Sequence, residues 1–140
     1  MTDIALTAAQ IAPVFPATAE IYDFVAAVTI TAGQALYITS AGKVDLYDSN
    51  GSGTLQFAGV ALTGGGAGQA ISVLKRGHCY GFTISGLAYW APVYGSNTAG
   101  SLADAAGSSS NVAGVVVPLS DSGNLTKVLY IEAKWTQVYA

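Results

Sequence analysis

Gly33-Gln34-Ala35-Leu36-Tyr37, Gly42-Lys43-Val44-Asp45 and Phe57-Ala58-Gly59-Val60-Ala61-Leu62 return later as Ala91-Pro92-Val93-Tyr94, Gly100-Ser101-Leu102-Ala103-Asp104 and Val112-Ala113-Gly114-Val115-Val116-Val117. Each copy reads as an apolar strand ending in Tyr, a Gly turn, a strand beside an acidic residue, a polar loop and an Ala-Gly-Val strand. A solenoid needs at least about three repeats to bury a continuous core. Two copies instead predict a pseudo-symmetric β-fold.

The flanking sequence agrees. From Ile21 onward the period is that of strands. In Lys43-Val44-Asp45-Leu46-Tyr47, Val44 and Leu46 point inward. Leu129, Ile131, Ala133 and Trp135 share one face of the last strand, and Val128, Tyr130, Glu132 and Lys134 the other. Gln69 to Leu74 and Val112 to Val117 are almost wholly apolar, which predicts strands covered on both faces. Turn signals lie at Asn50-Gly51, Gly64-Gly65-Gly66, Arg76-Gly77, Ser85-Gly86, Gly107-Ser108 and Ser122-Gly123-Asn124. One short helical turn is expected near Leu102 to Ala106, opened by Ser101. The fold class is all-β: a compact β-sandwich or partly open β-barrel of about nine or ten short strands. Residues 21–140 form a single β-domain with two pseudo-repeated halves.

Residues 1–20 read as an extended N-terminal arm. Pro13 and Pro16 forbid a regular helix or a central strand. Yet Ile4, Leu6, Ile11, Val14 and Phe15 give it more bulky apolar residues than disordered tails carry. Ala17-Thr18-Ala19 has the small residues of a signal-peptidase site, but no Lys or Arg precedes it and Gln10, Pro13 and Pro16 interrupt the apolar run. A secretory signal is not expected.

Only 9% of the 140 residues are charged and 51% are hydrophobic, against about 25% charged in ordinary soluble chains. The apolar surplus has no transmembrane outlet, because the longest run, Phe24 to Ile38, falls short of about 18 residues and is broken by Thr29, Thr31, Gly33 and Gln34. A membrane β-barrel needs longer strands of about ten residues. The surplus is therefore expected at subunit or partner interfaces, with Tyr22, Phe24, Tyr89, Trp90 and Trp135 as candidate subunit-interface residues. Net charge is −3, and Lys43, Lys75, Arg76, Lys127 and Lys134 form no basic stripe, so no nucleic-acid partner is expected.

The chemistry-bearing residues do not assemble into a catalytic motif. The one histidine, His78, adjoins the one cysteine, Cys79. On a strand, neighbours face opposite ways, so they form no thiolate–imidazole pair. Asp45 to Gly51 has the acids of a calcium loop, but Leu46 and Phe57 stand where that pattern requires acidic ligands. Gly64 to Gln69 lacks the Lys that a phosphate-binding loop places after its last Gly. No enzyme activity, cofactor or metal is expected. Tyr89-Trp90 leaves a glycan- or receptor-binding module as the alternative.

The order Thr31-Ala32-Gly33-Gln34-Ala35-Leu36-Tyr37, Gly42-Lys43-Val44, Ala58-Gly59-Val60-Ala61, Gly68-Gln69-Ala70-Ile71-Ser72-Val73, Gly77, Ser85-Gly86-Leu87, Val93-Tyr94, Gly100-Ser101-Leu102 and Ala113-Gly114-Val115-Val116 resembles the capsid decoration, or cement, proteins of tailed bacteriophages. It spans about residues 28 to 132. Tyr89-Trp90-Ala91-Pro92 departs from it, since a Gly-containing turn is expected before Val-Tyr. The resemblance implies a small β-protein made in the bacterial cytoplasm and added to the outer capsid surface of the virion, as a homotrimer. Its partner would be the major capsid protein, whose neighbouring subunits it would clamp. The arm residues Ile4, Leu6, Ile11, Val14 and Phe15 are then the candidate capsid contacts.

Overall fold

The computed structural model describes residues 2–50, 56–109, 111–121 and 123–135. Ten strands make up the sheet: β1 (Ala12–Pro13), β2 (Glu20–Val25), β3 (Ala35–Ile38), β4 (Val44–Leu46), β5 (Phe57–Ala61), β6 (Ala70–Tyr80), β7 (Pro92–Gly95), β8 (Leu102–Ala103), β9 (Val112–Asp121) and β10 (Asn124–Glu132). The sheet curls into an open half-barrel. The helical turn expected near Leu102 to Ala106 is absent. Leu102 and Ala103 instead pair as β8 with Tyr94 and Gly95, and a 3-10 turn stands at Ala8–Gln10. Both Leu102 and Ala103 are buried, so their packing overrides the local preference for a turn.

The sequence repeat is a repeat of pairing. The sheet order is β4-β3-β5-β6, continuing as β10-β9-β7-β8. Thus β3-β4-β5-β6 and β7-β8-β9-β10 have the same connectivity. Ala35 pairs with Val60 as Pro92 pairs with Val115, and Leu36 with Gly59 as Val93 with Gly114. Both copies carry a register shift at the same place, before Tyr37 and before Tyr94. The Ala-Gly-Val glycine is required in each. A Cβ at Gly59 would stand 2.1 Å from the carbonyl oxygen of Leu74, and one at Gly114 would stand 2.2 Å from that of Tyr130.

Strand β6 is the hub. Leu74 pairs with Ile21 on one edge and Val60 on the other, and Arg76 with Glu20 and Glu132. Strands β1 and β2 therefore line one edge of β6, while β5 and then β10 follow one another along the other. The hand-over falls at Lys75, between Leu74, which pairs with β5, and Arg76, which pairs with β10.

Two cores result. The larger holds Tyr47, Phe57, Val60, Leu74, Val93, Val116, Leu129 and Ile131 between the two copies. The smaller holds Leu36, Val44, Ala58, Ala61, Ile71 and Val73 beneath Ala26 and Ile30. The first apolar strand is buried on one face through Ile71 and Val73, but its other face is covered only from Leu74 onward, with Gln69 and Ala70 exposed and Ser72 half-buried, so the expected double cover is not met. The second falls short too: Val112 is 49% exposed, although Ala113 and Val116 beside it are in the core.

The arm lies on the body. Ile4 N–H donates to Leu102 O at 2.8 Å, Thr83 N–H to Ala5 O at 2.8 Å and Thr7 N–H to Gly81 O at 2.9 Å. Residues 3–7 thus run between β8 and the continuation of β6. The start of the chain is fastened by Thr2 N–H to the Asp104 carboxylate at 2.8 Å and by Asp104 N–H to Thr2 O at 3.1 Å. Ser96 Oγ–H donates to the Asp3 carboxylate.

Candidate interaction surface

Of the five arm residues, Ile11 is part of the large core, and Ile4 and Leu6 pack against it. A Cβ at Gly33 would meet Leu6 Cδ1 at 2.9 Å and Ile11 Cδ1 at 3.1 Å, so the missing side chain makes the seat for the arm. The three therefore face this chain's own interior rather than a capsid. Val14 is half-buried, and Phe15 stays 44% exposed. The pattern of apolar residues marked the arm for burial, but it could not say against what.

Phe15 opens an apolar edge. Its ring meets His78 edge-on at 5.2 Å, and His78 meets Tyr130 at 5.0 Å. Further along, β2 exposes Ile21, Tyr22 and Val25. Among the described residues β2 pairs only with β6, so its outer edge offers a row of backbone donors and acceptors. Arg76 on β6 lies 3.9 Å from Glu20 and 3.9 Å from Glu132. Such exposed pairs contribute little to stability.

The candidate interface aromatics divide into two groups. Tyr22, Phe24 and Trp135 come together, with Tyr22 at 5.0 Å and Phe24 at 5.7 Å from the Trp135 ring. Lys75 Nζ sits 4.4 Å over that ring, and the indole N–H donates to Ala58 O at 3.1 Å. This group staples the end of the chain to β5 and β6. Tyr89 and Trp90 stand elsewhere, in the turn before β7. Lys127 Nζ lies 5.2 Å from the Tyr89 ring and donates to Ser85 O and Leu87 O. Tyr89 and Lys127, with Phe82, Ile84 and Leu125, line an open cleft of about 480 Å³, and Trp90 stands outside its lining.

The missing Gly turn has a structural answer. Gly33 has φ +93°, and Trp90 holds the same left-handed position with φ +66°. Gly33 N–H donates to Ala61 O as Trp90 N–H does to Val116 O, and Gln34 N–H to Thr31 O as Ala91 N–H does to Ala88 O. A bulky residue at positive φ is a rare and strained choice. Trp90 is also 65% exposed, so its ring gains little burial in return.

His78 and Cys79 face opposite sides, as expected. Cys79 is buried, and burial pushes its thiol pKa up to about 12. It is therefore not a nucleophile at neutral pH. Among the described residues no group of His, Cys, Asp and Glu is placed to hold a metal. Gly51, the anchor of the calcium-loop comparison, lies outside them. The buried polar residue Ser49 is structural: its Oγ–H donates to Ser109 O at 2.9 Å, and it accepts from Ser109 N–H at 2.8 Å. Among the described residues no helix is long and apolar enough to cross a membrane. Comparison of the chain with family models, curated proteins and solved structures gives no match.

Proposed function

We propose that this chain is a structural virion protein of the head-decoration kind, binding the outside of a phage shell and clamping neighbouring major capsid subunits. The observation that carries the reading is the apolar edge from Phe15 to Val25, with Phe15, Ile21, Tyr22 and Val25 exposed beside an unpaired strand edge. A capsid strand added to β2 would satisfy backbone groups on both sides, and the exposed side chains would supply the apolar area. Ordering a free segment costs about 1–2 kcal/mol per residue. Here the segment is already held by its own body, so that cost falls on folding rather than on docking. Self-association, which the resemblance implies as a trimer, would raise the effective concentration of the remaining edges once one is bound.

The test adds purified protein to expanded shells stripped of their own decoration. The wild type is expected to bind to saturation, and Phe15→Glu with Tyr22→Glu to weaken binding at least about tenfold, or about 1.4 kcal/mol. Failure of the wild type to bind, or undiminished binding by the double variant with an unchanged melting temperature, overturns the reading.

A second reading rests on Trp90. A strained, exposed Trp beside Tyr89 and an open cleft suits stacking against a sugar ring. Glycan arrays test it: binding that Trp90→Gly abolishes would favour a glycan-binding module, and a blank array removes it.

A further inference from the structure

The second repeat departs from the first along one strand edge. His78 pairs with Tyr130 as Ile21 pairs with Leu74, and Cys79 with Leu129 as Tyr22 with Val73. The end of β6 therefore stands to β10 as β2 stands to β6. In the first repeat the pairing runs on through Asp23–Ser72, Phe24–Ile71 and Val25–Ala70. In the second it stops at Cys79. The counterparts Tyr80–Val128, Gly81–Lys127 and Phe82–Thr126 do not pair, and the open cleft between residues 82–85 and 125–127 takes their place.

The arm holds the bonds that β10 lacks. In the first repeat Ala26 N–H donates to Gln69 O at 2.9 Å. Its counterpart, Thr83 N–H, matches Leu125 O in that register, but donates instead to Ala5 O of the arm at 2.8 Å. Gly81, the counterpart of Phe24, gives its carbonyl to Thr7 N–H at 2.9 Å. The arm is tied in turn to β8 through Ile4 N–H and Leu102 O, so residues 81–83 are drawn toward β8 and off β10. Strand β2 has no such neighbour, since among the described residues it pairs only with β6. Gly81 makes room for the seated arm. Its φ is +104°, and a Cβ there would stand 2.6 Å from Ile11 Cδ1. Phe24, at the matched position, is an ordinary strand residue.

We propose that residues 80–83 are a two-position strand, exchanged between the arm and β10. With the arm seated they lie off β10, the cleft is open, and Lys127 Nζ spans its mouth to Ser85 O and Leu87 O. When the arm lifts, Thr83 N–H passes to Leu125 O and Gly81 pairs with Lys127, in the register of the first repeat, and the cleft closes. The residues suit that register. Tyr80 opposite Val128 and Phe82 opposite Thr126 are aromatic and β-branched pairs, and Gly81 leaves its positive φ without steric cost. The backbone groups that the arm gives up are not left without partners, so lifting it costs less than the sum of its bonds. One set of groups serves both partners, so seating the arm and closing the cleft oppose each other, and each biases the other equally. The exchange belongs to the free chain and does not rest on the virion reading.

Gly81→Val in the full chain is the test. Valine is barred from the seated position by its φ and by Ile11, but fits the strand position that Phe24 holds in the first repeat. Protease is expected to cut within residues 2–13 at least about tenfold faster than in the wild type. Exchange of the Lys127 amide is expected to slow at least about threefold, because the closed register gives it an acceptor. A simple loss of stability would speed that exchange instead. A cysteine pair reads the register without touching Gly81. Phe82→Cys with Thr126→Cys, directly opposed only when the cleft is closed, is expected to form a disulfide at least about tenfold faster once Asp3→Ala loosens the arm. Phe82→Cys with Val128→Cys, two residues out of register, is expected to gain no such advantage, and the buried Cys79 stays in place in both. An arm still protected in Gly81→Val, a sheet that melts along with it, a Lys127 amide that exchanges no slower, or two cysteine pairs that respond alike to Asp3→Ala overturns the proposal.

Discussion

Trp90 and Gly33 occupy the same left-handed corner of the two repeats, and their backbone N–H groups donate to matched carbonyls, Val116 O and Ala61 O. The two corners differ in what fills the space beside them. Leu6 and Ile11 occupy the space at Gly33, whereas Trp90 projects its own ring outward.

Strain at Trp90 is separable from the loss of its ring. Trp90→Gly and Trp90→Ala both remove the indole, but only Gly relieves the positive φ, which costs an ordinary residue about 1–3 kcal/mol. Gly also makes the unfolded chain more flexible, which offsets part of that gain. The Gly variant is expected to be more stable than the Ala variant by about 1 kcal/mol in urea unfolding. Equal midpoints would show that the corner is unstrained.

The paired glycines of the repeat should fail together. Gly59→Ala and Gly114→Ala each drive a methyl group into a backbone carbonyl of the neighbouring strand, at 2.1 Å and 2.2 Å. Backbone cannot swing aside as a side chain can. Each variant is expected to lose about 3 kcal/mol or more, read from denaturant midpoints. A loss below about 1 kcal/mol at either site would mean that its strands part more easily than the pairing implies.

The start of the chain should behave as part of the body. Ile11→Ala is expected to cost about 2–4 kcal/mol as a buried large-to-small change. Asp3→Ala, which strips Ser96 of its carboxylate acceptor, is expected to cost about 1–2 kcal/mol. Limited proteolysis of the wild type should spare residues 2–13, and Asp3→Ala should open cleavage there. Rapid trimming of the wild type would place the arm off the sheet.

Cys79 predicts a loss of stability in alkali. Its thiol pKa is raised from 9.0 to about 12 in the folded chain, chiefly by burial. The stabilising difference is complete below pH 9 and lost as pH climbs from 9 toward 12, because only the unfolded thiol ionises in that window. The loss reaches up to about 4 kcal/mol across the window. Cys79→Ala should flatten this slope when unfolding is followed against pH. Native protein should also resist thiol reagents until denatured. Fast labelling of folded protein at pH 8 would contradict the burial.

The all-β class and the repeat were legible because strand periodicity and turn glycines are local signals. Gly59 and Gly114 marked the matched strands of the repeat, and the missing Gly at Trp90 marked a departure in local geometry. Three features were not legible, each for a long-range reason. Leu102-Ala103 looked like a turn because two residues show no strand period of their own, and their partners, Tyr94 and Gly95, lie across the loop of residues 96–101. The arm read as a buried segment, but not against what, because its seats on β6 and β8 are dozens of residues away. Val112 to Val117 looked doubly covered because composition cannot tell which face of a strand the rest of the chain covers.

The fastening of Thr2 to Asp104 spans 102 positions, and it orders events during synthesis. On the ribosome the arm is made well before β8, the strand that holds it. Until Asp104 emerges, Ile4, Leu6 and Ile11 have only part of their docking site. Contacts between such distant segments also slow folding.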